Sequence, residues 1–324
     1  MSKNWTFRPS ILSLESFKDA SLFRETFLEY YQRDNERAIE QANPEIPPRS
    51  GKLRTLQWNL NAWAGDSGTL NPLTHYKQII ATILQADADF IILNEYHLSG
   101  YDRTHVELET ALERLGYDTK MCGTVFCPTF VATRWSTSYK TEWVLSGDRS
   151  ALVLNAVNDQ GESVTVIGTH LNHRFGDQRY KEMSNLIQQL CCTQRNRNLQ
   201  KENDTCNSAD VMAGTRIILA GDLNQQRQRD YSEEEWNGAI VHNMERRKTC
   251  FDDGVDKLLQ SKGFVCAWDT KPSTTNWTTE HPPSTHWSGT IVDYSYGRNV
   301  EANSIYISPT KWSDHRMTVV DWTW

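Results

Sequence analysis

At 324 residues, 23% charged and 38% apolar, the chain is long enough to bury a full core and too apolar to be wholly disordered. A formal charge of −7 excludes a surface that holds polyanions by bulk attraction, so nucleic acid could be taken only in a local patch, over a short stretch or at an end. No apolar run approaches the roughly 20 residues of a bilayer span, and Met1 to Ser10 lacks a signal-peptide core.

In chain order, apolar residues from about Leu14 to Ala42 recur at helical spacing, and the prolines of 43–48 stop that helix in a stiff linker. This predicts a helical extension over residues 1–51, packed on the back of a main domain over 52–324. From Lys52 onward strands and helices alternate. Leu53–Asn59 reads as a strand, Pro72–Gln85 as a helix, Asp89–Leu93 as a buried strand and Val106–Leu115 as a helix. Val125–Thr133, Ser150–Val157 and Ser163–Thr169 read as strands, the last two joined by the hairpin turn Asp159-Gln160-Gly161. A helix follows over Asp177–Leu190, then a polar stretch over 193–214 that reads as an exposed insertion. Arg216–Ala220 is a strand, Asp253–Ser261 a helix, 271–288 a Ser/Thr/Pro-rich loop, and Ile291–Tyr296 and Met317–Asp321 the closing strands. Mixed strands with hairpins and crossing helices imply an α/β protein of two packed sheets with helices outside.

Seven cysteines, an odd number without metal-ligand spacing, read as reduced thiols and predict an intracellular protein, cytoplasmic or nuclear. Nothing in the pattern implies an obligate protein partner.

Polar clusters close several of these apolar runs: Trp58-Asn59-Leu60-Asn61, Asn94-Glu95, Thr169-His170-Leu171-Asn172 and Gly221-Asp222-Leu223-Asn224, with Asp314-His315 near the C-terminus. Strands ending in carboxylates, amides and imidazoles gather those groups along one sheet edge. Taken singly, each is as much a strand-end cap or a solvated loop as a catalyst; the set, not any member, suits a hard cation and an anionic substrate.

With Asp293-Tyr294 and Ser313-Asp314-His315, and in this order, the set closely resembles the endonuclease/exonuclease/phosphatase superfamily over about residues 52–324. The resemblance implies a DNase I-like four-layer α/β sandwich, two mixed β-sheets flanked by helices, and a Mg²⁺- or Mn²⁺-dependent phosphoesterase. It assigns the metal to Glu95, Asn59 and Asp314. Asp222 would polarise the attacking water, Asn224 would orient it or donate to the phosphoryl oxygens, and His170 and His315 would donate to developing charge, with Asp293 fixing His315. Asn172, Arg174, Arg179 and Trp312 are candidate substrate contacts, arginine forks matching phosphate geometry. One departure is Asn61, where many nucleases of the family carry an acid; an amide is the weaker ligand, which shifts reliance onto Glu95. The segment Gln225–Tyr231 reads equally as a pocket rim or a solvated loop.

The expected substrate is a phosphodiester in nucleic acid or at a nucleotide-linked end. Two rivals remain. A phosphomonoesterase or lipid-headgroup enzyme of the inositol phosphatase or sphingomyelinase type would call for a Lys/Arg cluster or an apolar docking loop, neither of which is evident. A non-catalytic binding module on the same fold sits poorly with so complete a set of polar residues.

Overall fold

A computed structural model of the protein describes residues 46–61, 76–96, 104–123, 127–147, 149–199, 212, 214–241, 254–270, 272–286, 289–308 and 312–324. The helix expected over Leu14–Ala42 and the first turn of the one expected from Pro72 lie outside these residues. The strands are β1 (Leu53–Asn59), β2 (Phe90–Asn94), β3 (Asp118–Cys122), β4 (Thr129–Thr133), β5 (Ser136–Ser146), β6 (Arg149–Val157), β7 (Ser163–His170), β8 (Ile217–Asp222), β9 (Val265–Cys266), β10 (Thr274–Thr275), β11 (Asp293–Arg298), β12 (Glu301–Ile307) and β13 (Thr318–Thr323). They form a seven-stranded sheet in the order β10-β12-β13-β1-β2-β4-β3 and a six-stranded sheet in the order β5-β6-β7-β8-β11-β9.

The period-2 alternation of side chains sorts the core into layers. Leu53, Phe90 and Ile92 of one sheet meet Leu152, Val166 and Ile218 of the other. On the outer face of the first sheet, Leu56, Trp58, Ile91 and Leu93 are covered by Ile79, Ile80 and Ile83 of the helix Tyr76–Gln85 and by Leu108 and Leu112 of Thr104–Arg114. On the second, Val153, Ile167 and Leu219 lie under Met183, Leu186 and Ile187 of Gly176–Leu199 and Leu259 of Gly254–Ser261. The result is a four-layer α/β sandwich with two mixed sheets inside.

Several elements differ from the pattern reading. β3, β5 and β10 escape it because all three are edge strands. One side of such a strand is solvated, so polar residues replace the apolar alternation, as the burial of Asp118–Cys122 illustrates. β12 escapes it because Ser304 and Asn303 interrupt its apolar run. The helix expected to end at Leu190 continues to Leu199, so the start of the polar stretch is helical rather than a loop. No Gly or Pro lies between Leu190 and Gly214 to stop it.

Gly221 is fixed by close approach at the β7–β8 pair. A Cβ there would lie 1.8 Å from the Thr169 carbonyl oxygen, which is backbone and has no rotamer to yield. We expect Gly221→Ala to destabilise the protein by at least the ~1–3 kcal/mol typical of overpacking, read as a lower urea midpoint at unchanged slope.

Candidate active site

Strand register assembles the site. Parallel β1 and β2 pair Asn59 with Asn94, parallel β7 and β8 pair His170 with Asp222, and antiparallel β11 sets Asp293 opposite Asp222. The ends of both sheets therefore meet at one place, and buried amides brace them across the gap. Asn94 Oδ1 accepts from the Asp222 backbone N–H (2.9 Å), while its Nδ2 donates to the Thr169 carbonyl (3.1 Å). Gln57 Nε2 donates to Asp293 Oδ1 (2.9 Å). Ser313 Oγ donates to the Asn59 carbonyl (2.7 Å) and Trp58 Nε1 to that of His315 (3.0 Å), tying the last loop to the end of β1.

Asp222 lies at the centre. Its Oδ1 accepts from Asn224 N–H (3.0 Å) and its Oδ2 from Asn59 Nδ2 (3.0 Å), with His170 Nε2 at 3.5 Å and His315 Nε2 at 3.8 Å. Asn59 Nδ2 also donates to Glu95 Oε1 (3.2 Å), which is 3.9 Å from His170 Nε2. Asn59 Oδ1 is engaged by the Asn61 N–H (2.9 Å), so Asn59 faces the carboxylates as a donor. Asn61, Glu95 and Asn224 hold φ of 45°, 47° and 51°, a left-handed conformation that costs a non-glycine residue of order 1–3 kcal/mol and clusters at functional sites.

The electrostatics divide the two imidazoles. Burial, together with the positive fields of Arg149, His315 and His173, holds His170 well below the usual histidine range, so it is neutral. Burial also opposes charge on His315, but the Asp293 carboxylate, 2.8 Å from its Nδ1, with Asp222 and Asp314 beyond, pushes it up to about 10, and it is an imidazolium. Asp222 is pushed up to about 7 by burial and by the neighbouring Asp293 and Glu95, with His315 pulling the other way. Asp314 is pushed up to about 6 by burial and by Glu95 and Asp293.

Glu95, His170 and Asp222 offer ligand atoms within 4.8 Å of one another. Four carboxylates, Glu95, Asp222, Asp293 and Asp314, are thus crowded around three imidazoles, His170, His286 and His315, and no described Lys or Arg pairs with any of them. This excess of negative oxygen donors fits a hard divalent cation.

The candidate substrate contacts are placed differently. Asn172 Oδ1 caps its own loop, accepting from the N–H groups of Arg174 and Phe175. Arg179 is 1% exposed and donates to the Asn172 carbonyl (3.2 Å), so it holds this loop from inside instead of reaching into solvent. Arg174 is exposed beside His173 (Nε–Nε2 3.0 Å), and Trp312 packs on the core under the helices of the first sheet.

Most of Gln225–Tyr231 is buried, with Gln228 and Arg229 exposed. Arg227 is 1% exposed, ion-paired to Asp230, Asp256 and Asp269, and stacked 5.2 Å over the Tyr294 ring. Its mixture of Gln, Arg and Asp looks solvated, and burial is possible only because acids distant in sequence converge on the guanidinium. Breaking such a pair from one side leaves buried charge, so we expect Arg227→Ala to cost ~3–5 kcal/mol in urea unfolding.

His286 was not singled out by the sequence, lying in the Ser/Thr/Pro-rich loop with no apolar run before it. It pairs with His315 in an isolated β-bridge, sets its ring 4.7 Å from that of His315, and brings Nε2 to 3.8 Å from Asp314 Oδ2.

No family model matches the sequence, and no curated protein does. Among solved structures, the chain is similar to the human Nocturnin catalytic domain with bound sulfate, at TM-score 0.58 and 18% identity over 83% of this chain and 93% of that one. It is similar to a mannosyl-6-phosphatase from Bacteroides thetaiotaomicron at TM-score 0.54 and 13% identity, covering 84% and 100%. It is similar also to ANGEL2, a 2′,3′-cyclic phosphatase in complex with adenosine-2′,3′-vanadate, at TM-score 0.56 and 15% identity, covering 86% and 99%.

Proposed function

We propose that this chain, which has the DNase I-like fold of endonuclease/exonuclease/phosphatase proteins, is a divalent-metal-dependent phosphoesterase cleaving phosphodiesters of nucleic acid or of a nucleotide-linked end. The observation that carries the reading is a buried Asp222 met by a neutral imidazole, a charged imidazole and an amide, with Glu95 and Asp314 alongside. Glu95 and Asp314 would hold Mg²⁺ or Mn²⁺, with Asn59 orienting Glu95. When bound, such an ion polarises a phosphoryl oxygen and offsets the carboxylate charge.

The side chains supply the rest. Asp222 accepts a proton from water lined up with the phosphorus, and its two hydrogen bonds aim the carboxylate. His315, charged and steered by Asp293, donates from Nε2 to oxygen charge that grows in the transition state. His170 donates as a neutral imidazole. Asn224 spends one Nδ2 hydrogen on the Leu171 carbonyl (3.1 Å) and keeps the other for a phosphoryl oxygen. The net charge of −7 favours a short or terminal substrate over a long duplex. A ligand of adenosine type on a protein of similar fold supports a nucleotide-linked substrate, and a sugar phosphatase of the same fold marks the main competitor.

The test is a Mg²⁺-supported panel of single-stranded DNA and RNA, a 5′-blocked oligonucleotide, a 2′,3′-cyclic nucleotide, a sugar phosphate, an inositol polyphosphate and sphingomyelin. Cleavage confined to the nucleotide members upholds the proposal. Turnover of only a monoester or headgroup moves the chain to the competing branch.

A further inference from the structure

We propose that His286, Asp314 and His315 form a second cation site, selective for a nitrogen-seeking ion such as Zn²⁺ or Co²⁺, whose occupancy switches the phosphoesterase off. The inhibitory consequence rests on the roles given above to Asp314 and His315; the site itself rests on geometry.

The three residues offer ligand atoms that all lie within 4.8 Å of one another. His286 Nε2 is 3.8 Å from Asp314 Oδ2, and His315 Nε2 is 3.9 Å from Asp314 Oδ1. Ligands on a tetrahedral ion with bonds of ~2.0–2.2 Å stand about 3.3–3.6 Å apart, so each imidazole closes on its own Asp314 oxygen by a few tenths of an ångström, and an edge at the 4.8 Å limit would close by roughly 1.2 Å.

The backbone sets His286 in place. Thr285 and His286 both donate their N–H to the Thr290 carbonyl (3.0 and 2.9 Å), Gly289 N–H donates to the His286 carbonyl (3.0 Å), and Arg316 N–H donates to the Thr285 carbonyl (2.7 Å). These bonds, with the isolated β-bridge from His286 to His315, hold the two rings edge to face at 61°.

Each ring has its other nitrogen occupied. His315 Nδ1 is on the Asp293 carboxylate and His286 Nδ1 is 3.5 Å from Thr290 Oγ1, and each Nε2 lies within 4 Å of an Asp314 oxygen. Metal-bound imidazoles use this outer-shell arrangement to fix their tautomer. Two imidazoles and one carboxylate suit Zn²⁺ or Co²⁺ and disfavour Mg²⁺, which takes oxygen donors and keeps its water.

Binding requires the His315 Nε2 lone pair, so the proton held there leaves to solvent. His315 then no longer donates to phosphate, and Asp314 is withdrawn from the Mg²⁺ ligands. Both consequences lower turnover without touching Asp222.

The experiment titrates Co²⁺ alone into chelator-treated protein, read by visible absorption and by competition with a chromogenic chelator. In parallel, Zn²⁺ is added to Mg²⁺-supported hydrolysis of bis-p-nitrophenyl phosphate. His286→Ala should weaken Co²⁺ by at least the roughly 10- to 100-fold that loss of a mere outer-shell partner costs and shift Zn²⁺ inhibition by a matching factor. His286→Gln, which keeps a polar side chain in the turn, should behave alike and covers a folding defect in the alanine variant. Glu95→Gln should leave the His286-dependent Co²⁺ binding intact. Equal Co²⁺ affinity in the wild type and both His286 variants overturns the site, as does loss of Co²⁺ on Glu95→Gln instead. Co²⁺ binding that depends on His286 in a protein that hydrolyses nothing keeps the site and removes both the inhibitory consequence and the phosphoesterase reading.

Discussion

Asp222→Asn should lower kcat by about 10²- to 10⁴-fold, the range a positioned general base supplies, with KM changed far less. Asparagine keeps the size of the side chain and an oxygen able to accept from Asn224 N–H, but it cannot take a proton. The same substitution should not weaken the fold. Asp222 is pushed up to about 7 by burial and its acidic neighbours, above the value of ~3.9 in an unfolded chain. Between those two values the folded state binds more protons than the unfolded one, so this group makes the wild type less stable as pH rises, fully so above about 7. The chelator-treated variant lacks that penalty. Its urea midpoint should gain on the wild type from roughly pH 4 to pH 7 and stay ahead beyond. Unchanged kcat would take the base role from Asp222, whereas lost kcat with lost stability would point to misfolding.

Asp293→Asn tests the charge on His315. The carboxylate is the largest influence holding that ring protonated, against burial, at about 10. An amide still accepts from Gln57 Nε2 and can still meet His315 Nδ1, so the shape survives while the charge is lost. The His315 titration followed by NMR in chelator-treated protein should fall from about 10 toward neutrality. The kcat at neutral pH should drop roughly 10²- to 10³-fold, the cost of removing one donor aimed at transition-state charge. The linked stability has the opposite sign from that of Asp222. A histidine raised in the folded state stabilises fully below its unfolded value of ~6.5, and that stability is lost as pH rises through about 10. The variant should therefore lose most below neutral pH and least in alkali. A His315 titration that does not move would show that Asp222 and Asp314 suffice to hold the charge.

Much of this molecule was legible because its chemistry sits where regular strands end. Leu53–Trp58 and Phe90–Leu93 declare themselves by continuous burial on both faces, and the first polar residue after each marks the sheet edge. That Asn59, His170 and Asp222 close strands, with Glu95 one residue beyond, could therefore be read from local pattern, and so could two sheets with helices outside, whereas Asp314-His315 lie before β13 and close no apolar run. What local pattern could not supply is whatever depends on distant residues meeting. The orientation of Asn59 is one such feature: Asn61 holds its oxygen and turns its amide nitrogen to the carboxylates. Arg179 reads as a candidate substrate contact and Arg227 as part of a rim or solvated loop, and only the fold shows one buried against a backbone carbonyl and the other among three aspartates. Edge strands such as β3 carry no alternation because water covers one side of them. His286 carries no local signal at all: its neighbour His315 lies 29 residues further along, and only the pairing of the two segments brings the rings together. The sequence by itself determined the strand ends and the residue types there, because burial periodicity is a local property of the chain. The tertiary structure alone decided the protonation of each imidazole, the orientation of each amide and the company of each buried charge, because those follow from fields and hydrogen bonds across the gap between the sheets.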